Sequence, residues 1–246
     1  MKLKVLGSSS HGNCYILESE TEALVIECGI SFKEIKIALD FDVSKIVGCI
    51  ISHEHLDHSK YVGDYIRLGI PVYSSFQTQH AMEIITGERT KAIAPMKAIK
   101  VGNFTVTPFN VPHDEDIECY GYIVKHEKIG LLLFVTDLSY IPYSFKKLKL
   151  NHIMIECNHI RKLVDNSYIK SLRDRVISTH MELETCVKAI RENKTSCLMN
   201  VILLHLSDSN SDEKVMLSRV KEVCGDDVNV VIANKGVTVN LDLCPF

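Results

Sequence analysis

The chain has 246 residues, 46% of them hydrophobic and 24% charged, and a formal net charge of -3. This is ordinary globular composition, enough for one domain over residues 1–246, and no Pro-rich, Gly/Ser-rich or single-sign run marks a linker. The mildly acidic balance argues against broad electrostatic adhesion to nucleic acid, which rests on many Lys/Arg contacts to phosphate, and leaves open a small anion held locally.

In chain order, KLKVLG, CYILES and ALVIEC predict three strands, and FKEIKIALDF predicts a helix. KIVGCIIS reads as a buried strand, SKYVGDYIRLG as a helix ending at Gly69, PVYSS as a strand and QTQHAMEIIT as a helix. The middle is β-rich, with AIKVG, FTVTPFNV, CYGYIVKH and IGLLLFVTD. The last third alternates: strands HIMIEC, NVILLHLS, VNVVIAN and VTVNLDL, with helices around ELETCVKAIREN and DEKVMLSRVKEVCG. Two β-rich halves, each followed by helices, predict two sheets packed face to face with helices outside, a four-layer αββα sandwich.

Nine cysteines without a CxxC pair give neither a disulfide framework nor a zinc ribbon, so a reducing, cytoplasmic setting is expected. MKLKVLGSSS lacks a signal-peptide core, and no run reaches about 18 apolar residues, so no membrane association is expected.

ISHEHLDHSK, residues 51–60, places three histidines and two carboxylates where a buried strand gives way to a loop. If residues 53–55 stay extended, His53 and His55 share a side and converge on one ion, because side chains alternate along a strand. Asp57 and His58 follow at the turn into a helix and face a second ion. Imidazole and carboxylate are ligands that suit zinc near neutral pH.

HEHLDH resembles the HxHxDH signature of the metallo-β-lactamase fold hydrolases, and the resemblance extends over essentially the whole chain. It implies a first site of His53, His55 and His113, the last from PHDEDIECYGY. It implies a second of Asp57, His58 and His205, the last from HLSDSN, with Asp137 of FVTD bridging both. The cofactors implied are two zinc ions, with manganese as the alternative. Each candidate follows a predicted strand, which brings distant segments to one edge of the sandwich. Asp137 stands where β-lactamases of the B1 type carry cysteine, which argues against antibiotic hydrolysis. The roughly 70 residues between Asp137 and His205 are too few for the cap domain of the RNA-processing and DNA-repair branch. The first family motif usually holds Asp, but here IECG places Glu27, expected to support the metal histidines from behind.

GSSSHGNCYIL, ECNH and HDEDIECYGY are similar to the bacterial YycJ/WalJ exonuclease branch and to transfer-RNA-processing enzymes. They are similar also to phage phosphodiesterases that destroy cyclic nucleotides in anti-Pycsar evasion. The resemblance implies a two-metal phosphodiesterase in which Asp57 orients an activated water and His180 of STHMELE, or His159, gives a proton to the leaving oxygen. Asn158 and His159 of ECNH either support the metal edge or touch substrate. The acidic balance favours a cyclic nucleotide, with Tyr120 or Tyr140 as base platform. The alternatives are a DNA or RNA exonuclease using Lys146, Lys147, Lys149, Arg161 and Lys162, and an iron-dependent sulfur dioxygenase or non-catalytic metal protein. A homodimer, and a host-cytoplasm location if phage-encoded, are implied by the same resemblance.

Overall fold

The computed structural model describes residues 1–84, 87–164 and 170–243. Alternation of inward apolar and outward polar side chains starts the first sheet at β1 (Lys2–Ser9), where Leu3 and Val5 are buried and Lys2 is exposed. β2 (Gly12–Glu18), β3 (Ala23–Ile26), β4 (Ile46–Ile50), β5 (Val72–Ser74) and β6 (Thr90–Ala92) continue it. β7 (Ile99–Val101), β8 (Phe104–Val111), β9 (Cys119–His126), β10 (Gly130–Val135), β11 (His152–Glu156), β12 (Asn200–Leu204) and β13 (Asn229–Ile232) build the second sheet, and β14 (Thr238–Asn240) returns to the first. The strand orders are β14-β1-β2-β3-β4-β5-β6 and β13-β12-β11-β10-β9-β8-β7.

Helices cover both outer faces: α1 (Phe32–Ala38), α2 (Leu56–Ser59), α3 (Val62–Arg67) and α4 (Phe76–Ala81) follow strands of the first sheet. α5 (Arg161–Val164), α6 (Lys170–Thr179), α7 (Leu183–Asn193) and α8 (Glu213–Cys224) belong with the second. In α7, Leu183, Cys186, Val187 and Ile190 recur at helical spacing on the buried face, and the Glu182 carboxylate caps its start by accepting from the Glu184 and Thr185 amides. Burying each large aliphatic side chain of that stripe contributes about 1.5–3 kcal/mol.

The apolar residues fall into three clusters that correspond to the layers. Leu17, Leu24, Phe104, Tyr122, Phe134 and Ile202 lie in the core between the two sheets. Ile153, Val187, Ile190 and Val220 fill the space under α7 and α8, and Val25, Phe32, Cys49 and Tyr65 that under α1 and α3. The four-layer expectation therefore holds.

Direction matters more for function. β3 to β6 run parallel, β10 to β13 run parallel, and β8 shares the direction of β10 because β9 is antiparallel to both. The carboxyl ends of β3, β4, β8, β10, β11 and β12 thus share the edge on which the candidate residues lie.

The sequence reading differs from the fold in several elements. The strand of KIVGCIIS stops at Ile50, short of His53. SKYVGDYIRLG divides, with α2 closing at Ser59 and α3 starting at Val62. The helix expected over QTQHAMEIIT spans Phe76–Ala81, and residues 85–86 lie outside the described residues. β6, α5 and α6 were not anticipated: the first two are one turn or three residues long, and α6 is polar without a strong apolar stripe. Among the described residues no helix is long and apolar enough to cross a membrane.

Candidate metal centre

After β4 the chain leaves the sheet through Ser52 and forms a loop in which His55 precedes α2 with extended backbone. Convergence of His53 and His55 is therefore a property of this loop and not of strand alternation. His53 Nε2 lies 2.9 Å from His55 Nδ1, and His113 Nε2, two residues beyond β8, lies 3.3 Å from the same atom. The Oδ2 of Asp137, two residues beyond β10, is 4.0 Å from His53 Nε2.

Asp57 and His58 fall in the single turn of α2 and face the other way. His58 Nε2 is 3.2 Å from Asp57 Oδ2 and 3.4 Å from Asp137 Oδ1. His205, immediately after β12, brings Nε2 to 3.6 Å from Asp57 Oδ2 and Nδ1 to 3.3 Å from Asp137 Oδ1. The structure thus gathers all seven expected ligands into two groups that share Asp137. Gly29 permits this: a Cβ there would sit 1.7 Å from the Asp57 carbonyl oxygen, so only glycine lets the loop after β3 pass under α2.

The donor set fits divalent cations. Two imidazole nitrogens on one tetrahedral ion at about 2.0–2.1 Å are about 3.3 Å apart, close to the observed spacing of the first group. Burial depresses the pKa values of His53 and His113, leaving neutral rings with lone pairs to give. In the second group burial would also lower the histidines, but carboxylates outweigh it. Asp137, Asp57 and Glu156 push His205 up to about 10, and Asp137 with Glu27 holds His58 well above its usual value. These raised histidines balance the buried carboxylates, a charge that a divalent cation could supply in their place, and among the described residues His205 Nε2 is buried with no hydrogen bond.

Outer partners fix the rings. Ser52 Oγ is 2.9 Å from His53 Nδ1, the Thr179 carbonyl 3.4 Å from His113 Nδ1, and Glu156 Oε1 3.1 Å from His205 Nδ1. Glu27 is fully buried; its carboxylate accepts from the Ser52 amide and lies 3.5 Å from His58 Nδ1. Each contact leaves the opposite ring nitrogen free for the centre, the arrangement by which carboxylates and carbonyls orient metal-binding histidines. Burial raises the Glu27 pKa while His58 opposes that rise.

His180, at the end of α6, donates from Nδ1 to Glu156 Oε1 at 2.7 Å. The other Glu156 oxygen accepts from the Leu138 and Met181 amides, so this carboxylate is held on both sides. The His180 ring centroid lies 6.1 Å from that of His113 and 5.3 Å from that of His205, between the two groups. Asn158 is buried and donates to the His205 carbonyl at 2.8 Å, which makes it a support of the loop after β12. His159 is buried and lines the same pocket as His180.

Three residues escaped the sequence reading. Glu156 opens the ECNH segment, and nothing in its local sequence distinguishes it from its neighbours. Asn13 donates toward Asp57 Oδ2 at 3.2 Å and lies 3.1 Å from His58 Nε2, while Ser8 accepts from the His205 amide at 2.9 Å. The GSSSHGN segment is therefore both the β1–β2 turn and a part of the site. Tyr120 is a correction: it is 2% exposed with its hydroxyl turned to Glu118, so it offers no face to a base, whereas Tyr140 is 53% exposed.

A family model described as the beta-lactamase superfamily domain matches residues 24–205. Exodeoxyribonuclease YycJ of Bacillus anthracis is 27% identical, covering 97% of this chain and 92% of that protein. Exodeoxyribonuclease WalJ of Streptococcus pneumoniae serotype 2 (strain D39) is 28% identical over 93% and 90% respectively. Among solved structures, the metallo-β-lactamase fold protein YhfI of Bacillus subtilis superposes with a TM-score of 0.74 at 20% identity, over 97% of this chain and 99% of its own. A diphosphatase of the PhnP family gives 0.70 at 18%, over 99% and 98%.

Proposed function

The chain belongs to the beta-lactamase superfamily, and on that premise we propose that it is a metal-dependent phosphodiesterase that shortens DNA or RNA strands. The observation that carries the reading is the pair of buried Glu156 and half-buried His180 set against a double ligand cluster that shares Asp137. Similarity to two exodeoxyribonucleases over more than nine-tenths of the chain supports the nuclease assignment.

His53, His55 and His113 would hold one divalent ion, Asp57, His58 and His205 the other, and Asp137 both; zinc is the ion this donor set suits best, with manganese as alternative. When bound, such ions supply Lewis-acid activation of water and stabilise charge on the phosphoryl oxygens. The chain's own residues do the rest. Asp57, whose side chain is 20% exposed, is the carboxylate open to solvent and orients the attacking water. His180 donates a proton to the leaving oxygen, with Glu156 holding the ring and favouring its charged form. Glu27 and Asn13 keep His58 and Asp57 in place.

A cyclic mononucleotide is the second reading, favoured by the net charge of -3 and by exposed Tyr140 as a base platform. One experiment separates the two: turnover of purified, zinc- or manganese-loaded protein on 5'-labelled oligonucleotides and on a panel of 3',5'-cyclic nucleotides, with Asp57→Ala as control. Shortening of oligonucleotides that is lost in the control is the expected result. Opening of cyclic nucleotides alone would replace it with the second reading, and inactivity on both would remove the phosphodiesterase assignment.

A further inference from the structure

Beyond His180 the site opens into a cavity of about 420 Å3 lined by Ser139, His159, Arg161, Ile177, His180, Glu182 and Thr185. His159 is fully buried, yet among the described residues neither of its ring nitrogens has a hydrogen-bond partner. A buried imidazole with both polar atoms unsatisfied is costly unless something else supplies the partner. Arg161 is exposed and pairs with no carboxylate among the described residues, so none of these occupies its planar fork of donors. Ser139 and Thr185 add hydroxyls. The one acid, Glu182, is already engaged by the amides of Glu184 and Thr185 at the start of α7, where the helix terminus offsets its charge.

We propose that this cavity is a subsite for a second phosphate of the substrate, the one adjoining the scissile phosphodiester on the leaving-group side, bound by Arg161, His159 and the Ser139 and Thr185 hydroxyls. The inference rests on the phosphodiesterase reading and deepens it. Because His180 faces both the metal groups and this cavity, whatever departs with the proton of His180 passes the Arg161 fork. A substrate with one phosphate leaves the fork empty; a strand, or a nucleotide bearing a further phosphate, fills it. Burial lowers the His159 pKa to about 4, so near neutrality the ring offers one N–H donor and one acceptor, which suits a phosphate oxygen and a ribose or bridging hydroxyl beside it.

Two measurements on the metal-loaded protein test this. Calorimetric titration compares thymidine 3',5'-bisphosphate with thymidine 5'-monophosphate, and kinetics compare dinucleotides with and without a terminal phosphate at either end. The expected preference for the additional phosphate is about tenfold or more in Kd and kcat/KM, the worth of one or two charge-assisted hydrogen bonds. It should collapse toward unity in Arg161→Ala and be only partly kept in Arg161→Lys, which retains the charge but loses the fork. No preference in the unaltered protein, or a preference that persists in Arg161→Ala, would overturn the subsite. Failure to cleave any dinucleotide or p-nitrophenyl phosphodiester would instead remove the phosphodiesterase reading, while a bisphosphate preference that depends on Arg161 would leave the phosphate subsite standing.

Discussion

His180→Ala should slow cleavage of substrates with an alkoxide leaving group far more than cleavage of substrates with a p-nitrophenolate leaving group. The reason lies in the contacts of the ring. Its Nδ1 is committed to Glu156 Oε1 at 2.7 Å, which leaves Nε2 as the only atom able to hand over a proton. Burial would lower the pKa of this histidine, but the Glu156 charge and hydrogen bond outweigh burial and raise it. A sugar alkoxide needs that proton as the P–O bond breaks; a nitrophenolate leaves without it. Loss of a positioned general acid costs about 10²- to 10⁴-fold, or about 3–5 kcal/mol of barrier, on the first substrate class. The second class should change by less than about tenfold. The assay is kcat/KM for thymidine 5'-p-nitrophenyl phosphate against a dinucleotide, with metal content checked in each preparation. The pH profile provides a second reading: the acid must be protonated, so a raised pKa extends activity to higher pH. Glu156→Gln removes the larger raising influence and leaves Asp137 alone against burial, and the alkaline limb should move to lower pH. Equal losses on both substrates, or an unmoved limb, would refute the assignment of His180 as proton donor.

Other expectations concern the ligand shell and the core. Glu27→Gln takes the charge from behind His58 while leaving an acceptor for the Ser52 amide, and should weaken binding at the second site by about 10- to 100-fold, read by competition with a chromogenic chelator. Metal binding should release protons, because His205 sits at about 10 and His58 above its ordinary value before a cation displaces those protons. Affinity should therefore fall as pH drops, and titrations in buffers of different ionisation enthalpy should give different apparent heats; identical heats would contradict the charge argument. Ile190→Ala, on the buried face of α7 and outside the ligand cluster, should cost about 2–5 kcal/mol in urea unfolding while leaving kcat of the folded protein unchanged.

How much of this was written legibly in the chain depends on the range of the interaction that sets each feature. Long strands announce themselves by alternation or by continuous apolar runs, and the two-sheet arrangement follows from their grouping. The seven candidate ligands are legible because HxHxDH compresses four of them into six positions and each of the other three follows a predicted strand. Short elements are not legible in this way. β6 has three residues, fixed by pairing Val72 with Thr90 across the sheet, and α6 is polar, with the carbonyl of its last residue, Thr179, 3.4 Å from His113 Nδ1. Glu156 was missed for a similar reason. Its importance comes from His180, 24 positions away, and His205, 49 away, a convergence that no local pattern encodes. Asn13 reaches Asp57 across 44 positions in the same way.

One device recurs around the site and leads to a final prediction. Glu27 directly after β3, His205 directly after β12 and Asp137 two residues after β10 all adopt left-handed backbone, with φ of 64°, 53° and 50°. Strand alternation would carry these side chains away from one another; the reversal at the strand end turns them toward a common point. Such conformations in residues other than glycine cost about 1–3 kcal/mol each and persist only where surroundings over-determine them. Here the amides of Ser52 and His205 and the Thr136 hydroxyl are bonded within the cluster, and the gathered carboxylates are balanced without metal by the protonated His58 and His205, whose protons a divalent ion replaces with a larger charge. Divalent ions should therefore stabilise the fold strongly. At free metal about a thousandfold above Kd, each site adds about 4 kcal/mol by mass action, and for a chain of this size each kcal/mol raises Tm by about 2–4 °C. Scanning calorimetry should show a rise of about 8–16 °C for one filled site, and Asp137→Asn, which weakens both sites together, should abolish most of it. A Tm that ignores zinc and manganese alike would mean that the three reversed residues are held by the fold alone, and that the cluster does not bind these ions.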